Sequence, residues 1–192
     1  MFAAIVPPPT AHADLDAFVE VRRDVESGLR WTPPHLWHVT LAFMADVQER
    51  IVDEVIDEIA GVAIQHQPIP LQLSGAGVFP SVADTRVVWM DVSSDASGGL
   101  GDLEHLALGV RRACGRIGAS PAGGDYRPHL TLARSRRPFE ATRWLRVMDA
   151  YVGPPWTADE VTVFVSHRGT GKGRPHYEAV AACPLGADLS RG

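Results

Sequence analysis

The stretch "YRPHLTLAR" (residues 126–134) sets an imidazole and a hydroxyl two positions apart inside a segment otherwise suited to burial. In an extended strand residues i and i+2 share a face, so His129 and Thr131 point one way while Leu130 and Leu132 point the other. One face is oily and the other carries chemistry. A lone histidine on a half-buried strand is ordinarily a hydrogen-bonded structural residue, so this stretch decides nothing alone. The pattern occurs twice, however: "HVTL" (38–41) repeats "HLTL" (129–132) and sets His38 and Thr40 on one face of an earlier strand.

The surroundings repeat as well. "MFAAIV" reads as a short buried strand, followed by the turn "PPPT" and a helix predicted from about Ala11 to Leu29. Thr10 is its expected N-cap, and Val19, Val21, Val25 and Leu29 its apolar side. The breaker "TPPH" then leads into the strand "LWHVTLAF" (36–43). Further on, the strand "TRVVWMDV" (85–92) precedes a helix over Leu100 to Ile117, stopped by Gly118, and then the strand of "HLTLAR". Strand, helix, strand bearing His-x-Thr thus recurs with the two histidines 91 residues apart, from His38 to His129.

Between the copies, Asp46 and Glu49 suggest a capping-box start to a helix whose stripe runs through Val47, Ile51, Val55 and Ile59 and ends near Gly61. "IPLQLSGAGVF" (69–79) alternates as a strand, with Gly75 and Gly77 permitting a bend or bulge. After the second motif, residues 140–151 suit a short helix around Trp144, Leu145 and Met148. "EVTVFVSH" and "PHYEAVAAC" read as a hairpin about "RGTGKG". The expected class is α+β: a single bilobal domain over residues 1–192, two pseudo-symmetric lobes with antiparallel sheets around a central cleft and helices outside.

At 192 residues the chain suits one sizeable domain, and 45% hydrophobic with 21% charged residues is ordinary for a soluble protein. No apolar run is long enough to span a membrane, and "MFAAIVPPPT" lacks a charged leader, so a cytoplasmic location is expected. Cys114 and Cys183 have no CxxC partner and read as buried free thiols. The net charge of −5 argues against coating of long nucleic acid but permits a short anionic ligand. Arg134, Arg136, Arg137, Arg143 and Arg146 cluster locally, and "HRGTGKGR" adds Arg168, Lys172 and Arg174. Such clusters are either a solvated face or a phosphate-facing rim.

If the two chemical faces meet, two imidazoles and two hydroxyls share one cleft. In-line displacement at phosphorus needs a base for the attacking oxygen and an acid for the leaving oxygen, and histidine serves as either near neutral pH. One ring neutral and one charged gives a bell-shaped pH dependence. Threonine hydroxyls donate to non-bridging phosphate oxygens where charge develops. No metal or other cofactor is required: His35 and His38 fall on opposite strand faces, and no carboxylate cluster accompanies either motif.

With both motifs and their contexts in view, the chain resembles the two-histidine (2H) phosphoesterases, most of all the RNA 2′,3′-cyclic phosphodiesterases, also called 2′-5′ RNA ligase-like proteins. The likeness runs through "RWTPPHLWHVTLAF", "LSGAGVFPS", "RVVWMDV", "YRPHLTLAR" and "VTVFVSHRGTGKGRPHYEAVAACPL". It implies hydrolysis of a terminal 2′,3′-cyclic phosphate on RNA to a 2′-phosphomonoester. His38 would be the proton donor to the leaving 3′ oxygen, His129 the proton acceptor that activates water, and Thr40 and Thr131 the phosphate holders. It also implies substrate-binding roles for Arg134 and Phe43, each five positions beyond its histidine. That odd offset would turn both away from the histidines on a regular strand, and a bulge or the strand's end is what could redirect them.

Two rivals stand beside this reading. A non-catalytic RNA-end binder would use Trp37, Phe43, Tyr126 or Tyr177 as stacking platforms. A related enzyme would act on a small cyclic nucleotide, and reversal of the same step would join a cyclic phosphate to a 5′-hydroxyl. A monomer is expected, with His12, His66, His105, His167 and His176 at surface or structural positions.

Overall fold

The two His-x-Thr segments become neighbouring antiparallel strands, β3 (Val39–Phe43) and β6 (His129–Phe139), joined by the rung Val39 opposite Leu130. The computed structural model describes residues 1–23, 28–94, 98–167 and 176–186. Around this junction lie β1 (Phe2–Ile5), α1 (Pro9–Glu20), β2 (Leu29–Trp31), α2 (Val52–Ala63), β4 (Ile69–Phe79) and β5 (Thr85–Ser93). The chain continues through α3 (Gly99–Arg116), α4 (Thr142–Met148), β7 (Trp156–Ala158), β8 (Glu160–His167) and β9 (His176–Pro184).

Among the described residues the nine strands form one antiparallel sheet in the order β7-β4-β5-β6-β3-β1-β8-β9, with β2 also paired to β6. The order is symmetric about the β3–β6 junction, and the repeated sequence pattern corresponds to β1–α1–β3 and β5–α3–β6. The halves interlock. After the first motif strand the chain passes through α2 and enters the other half as β4, paired with β5; after the second it passes through α4 and β7, which pairs with β4, and returns as β8, paired with β1.

Val39, Leu41, Leu130 and Leu132 are buried and belong to one core with Val55 and Ile59 of α2 and Leu103, Leu106 and Val110 of α3. Burying a leucine side chain contributes about 1.5–3 kcal/mol. Register is therefore fixed by burial: a slip of one residue would expose these four and bury the histidines.

The first helix is shorter than its apolar pattern suggests. It ends at Glu20, Val21 is 75% exposed, and Leu29 belongs to β2, opposite Ser135 of β6. Its buried face is Ala11, Leu15 and Val19 at four-residue spacing, and pairing with β6 claims Leu29–Trp31 instead. Val25 lies outside the described residues. Thr10 is inside the first turn; Pro8 is the N-cap and Pro9 the first helical residue, a position that suits a missing N–H. Asp46 does not cap α2 either. It takes φ 51°, turning the chain out of β3, and α2 is entered through a single 3-10 turn at Glu49–Ile51. In β4 the expected bulge is present: the register slips between Leu73 and Ala76, where Gly75 has φ 80°. The strands β2 and β7, three residues each, are too short to show a period in sequence.

Candidate functional site

The rung Val39–Leu130 places the motif residues on the opposite face from the core. Continuing that antiparallel register sets His38 across from Thr131 and Thr40 across from His129, so each threonine faces the other motif's histidine. The imidazoles are diagonal neighbours, whose backbone positions lie about 7–8 Å apart across an antiparallel pair. All four side chains, with Arg134 and Tyr177, line one cavity of about 290 Å³.

Both rings are pinned in the same way. His38 Nδ1 lies 2.7 Å from the Leu36 carbonyl and His129 Nδ1 lies 2.8 Å from the Arg127 carbonyl. A carbonyl only accepts, so Nδ1 carries the proton in each ring and Nε2 is left as the exchanging nitrogen. Each ring is also packed between aromatics. Phe2 stacks on His38 at 4.8 Å, with Phe164 at 6.2 Å and Tyr177 edge-on at 5.8 Å. His129 meets Phe79 edge-on at 5.2 Å and Trp89 at 5.7 Å.

The offset problem of Arg134 and Phe43 is resolved by a matched pair of bulges. In β3 the register against β1 passes from Thr40 (opposite Ala4) to Ala42 (opposite Ala3), leaving Leu41 as the extra residue. In β6 the register against β5 passes from Thr131 (opposite Trp89) to Ala133 (opposite Val88), leaving Leu132 extra. A bulge shifts side-chain parity by one. Leu41–Ala42 and Leu132–Ala133 are all buried, and the next residues, Phe43 and Arg134, return to the face of the histidines. Arg134 reaches the cavity; Phe43, 48% exposed, lies on the same face but outside its lining.

Burial lowers the proton affinity of both histidines. For His38 desolvation is the main cause, opposed by the Leu36 hydrogen bond and reinforced by His129 and Arg134. For His129 desolvation again leads, opposed by the Arg127 carbonyl and Asp91, with Arg134 and Arg127 lowering it further. Both shifts disfavour the charged ring until an anion arrives.

Other sequence candidates fall elsewhere. Trp37 is only 2% exposed and packs against His12 at 5.9 Å, which removes it as a stacking platform. Tyr126 is half-buried, with its hydroxyl enclosed. Cys114 and Cys183 are buried free thiols, and burial raises Cys114 to about 11. Arg136 and Arg137 continue along β6 as exposed residues; Arg168, Lys172 and Arg174 lie outside the described residues. Among the described residues no group of three His, Cys, Asp or Glu is placed to hold a metal ion, and no helix is long and apolar enough to cross a membrane. Arg30 was not legible as a site residue, because the sequence assigns its neighbourhood to a helix end. In the structure it lines the same cavity.

The architecture is shared with known proteins. A sequence model of the 2′-5′ RNA ligase superfamily matches residues 7–170, and the chain belongs to that superfamily. The RNA 2′,3′-cyclic phosphodiesterase of Geobacillus stearothermophilus is 31% identical over 158 residues, 81% of this chain and 47% of that protein. That of Thermus thermophilus is 33% identical over 145 residues, 72% of this chain and 69% of that protein. The chain thus spans about half the length of the first of these relatives. Among solved structures, a protein of Thermus thermophilus superposes with a TM-score of 0.74 at 24% identity, covering 97% of this chain and 98% of that one. E. coli LigT complexed with 3′-AMP gives 0.73 at 23% identity, covering 96% of each. These two likenesses establish a common fold.

Proposed function

We propose that the chain is a metal-independent phosphodiesterase that opens a terminal 2′,3′-cyclic phosphate on RNA to a 2′-phosphomonoester. The observation that carries this reading is the diagonal pair of Nδ1-pinned imidazoles on one cavity, each across from a threonine. The curated names of the relatives support the substrate class.

The phosphate sits between the rings. Neutral His129 accepts a proton from water at Nε2 as the water oxygen bonds to phosphorus. His38 donates a proton from Nε2 to the 3′ oxygen as the P–O3′ bond breaks. The ribose then carries a free 3′-hydroxyl and a 2′-phosphate. His38 must be charged for this step although burial depresses it, and the bound anion supplies the compensation, since a nearby negative charge raises a histidine's proton affinity. Thr40 and Thr131 donate to the non-bridging oxygens, and Arg134 balances the growing charge. Tyr177 and Phe43 are the surfaces offered to the nucleoside. With a 5′-hydroxyl in place of water as the attacking group, the same two proton transfers would form a 2′-5′ bond as the P–O3′ bond breaks.

A cavity of about 290 Å³ is at the small end for ligand sites, so a mononucleotide cyclic phosphate is a second substrate to test beside the RNA end. The decisive assay incubates both with protein in excess chelator and identifies which hydroxyl keeps the phosphate. The unaltered protein should yield the 2′-phosphate. His38→Ala and His129→Ala, confirmed folded by circular dichroism, should each lose about 10²–10⁴-fold in rate. Normal turnover by either variant overturns the acid-base assignment, and binding without turnover by the unaltered protein makes it an RNA-end binder.

A further inference from the structure

The cavity holds a second guanidinium. Arg30 lies at the centre of β2 and is the direct cross-strand partner of Arg134 on β6. Partners on antiparallel strands share a face, and both residues are exposed and line the cavity that contains His38, Thr40, His129 and Thr131. Like charges directly opposite one another destabilise a sheet. Neither has an ion pair or side-chain hydrogen bond among the described residues. Arg23, Arg116 and Arg127, by contrast, pair with Asp16 and Glu20, with Glu58 and with Asp91.

The equivalent position in the other half of the sheet carries no charge. There the neighbour of Phe43 is Ala122, whose N–H donates to the Phe43 carbonyl at 3.0 Å. The same strand geometry thus carries two cations without an ion pair among the described residues in one half and an aromatic beside an alanine in the other.

Charge counting along the proposed reaction says what two cations are for. A cyclic phosphodiester carries one negative charge, which Arg134 alone matches. Water attack with loss of a proton to His129 adds a second, and the 2′-monoester keeps about −1.5 to −2 at neutral pH. We propose that Arg30 is a second phosphate-binding residue, acting with Arg134 on the charge that develops in the transition state and persists in the product. This rests on the cyclic-phosphate reading.

The test is Arg30→Gln on the full chain, with Arg30→Lys beside it. Removing one donor aimed at developing charge costs about 10²–10³-fold in kcat at other sites. Arg30→Gln should lose at least tenfold in kcat with KM changed less than threefold, and weaken inhibition by adenosine 2′-monophosphate at least tenfold. Arg30→Lys, which keeps the charge and loses the fork, should fall between. A raised KM with kcat intact, or unchanged product inhibition, overturns the proposal. Absence of turnover in the unaltered protein defeats the cyclic-phosphate reading instead. Arg30 is then decided by calorimetry with inorganic phosphate at pH 8, where equal affinity in Arg30→Gln and the parent refutes it and a tenfold loss upholds it.

Discussion

A methyl group added at Gly77 should disable the site without touching it. A Cβ there would lie 2.0 Å from both Cη2 and Cζ2 of Trp89 and 2.6 Å from Cε2. To regain an ordinary carbon–carbon separation of about 3.5 Å the indole must retreat by about 1.5 Å. It has little room, since Trp89 is 1% exposed and packed against Phe79 at 5.2 Å and His129 at 5.7 Å. Overpacking of this kind costs about 1–3 kcal/mol. A displacement of about 1 Å at a reacting group costs up to about 10²-fold in rate. Gly77→Ala should therefore lower the urea midpoint and reduce cyclic-phosphate turnover by more than tenfold, with the ring protons of His129 shifting more than those of His38 in NMR spectra. Gly61→Ala is the control: it sits in α2 with no atom within 4 Å of the added carbon, and should stabilise the helix by roughly 1 kcal/mol. Should Gly77→Ala match the parent in both stability and rate, Trp89 is not what holds His129.

His12, His38 and His129 all have proton affinities below the ordinary 6.5, with desolvation as the leading cause. Below pH 6.5 the unfolded chain therefore binds more protons than the folded one. The stability these groups contribute is complete above pH 6.5 and is lost as pH falls through their folded values. Urea midpoints measured from pH 7.5 to 5.0 should decline, and less steeply in His38→Ala/His129→Ala. Arg134→Gln removes a positive neighbour from both active-site rings, so NMR titration should show both proton affinities rising; unchanged curves would mean the guanidinium points away. Leu130→Ala, at a fully buried rung residue, should cost about 2–5 kcal/mol in stability. Because the halves interlock, we propose a single cooperative unit over residues 1–192, and heating should give one transition with calorimetric and van't Hoff enthalpies in agreement. Two separable transitions would refute it.

The sequence spoke most clearly where period and chemistry coincide. Four apolar residues alternating with His38, Thr40, His129 and Thr131 revealed both the strands and the face that matters. The repeated strand–helix–strand context revealed the symmetry, and β4 and β8 were readable almost to the residue. Three things were hidden, each for a physical reason. The offset of Arg134 and Phe43 called for a bulge or a strand end, but the position of the bulges at Leu41 and Leu132 left no mark because the neighbouring residues are simply apolar. Arg30 depends on which strand β2 joins, a long-range pairing that local propensity does not encode. The aromatics around the histidines, Phe2, Phe164, Phe79 and Trp89, come beside the rings only through the long-range pairing of the sheet.

Neither half of this sheet can be completed from its own stretch of chain, since each borrows a strand from beyond the other's motif, β4 in one case and β8 in the other. A polypeptide half as long, with one His-x-Thr segment, would have to exchange that strand with a twin across an axis through the Val39–Leu130 rung. Only the exchanged pair would own both an acid and a base. The molecule is in effect such a pair written as one covalent thread.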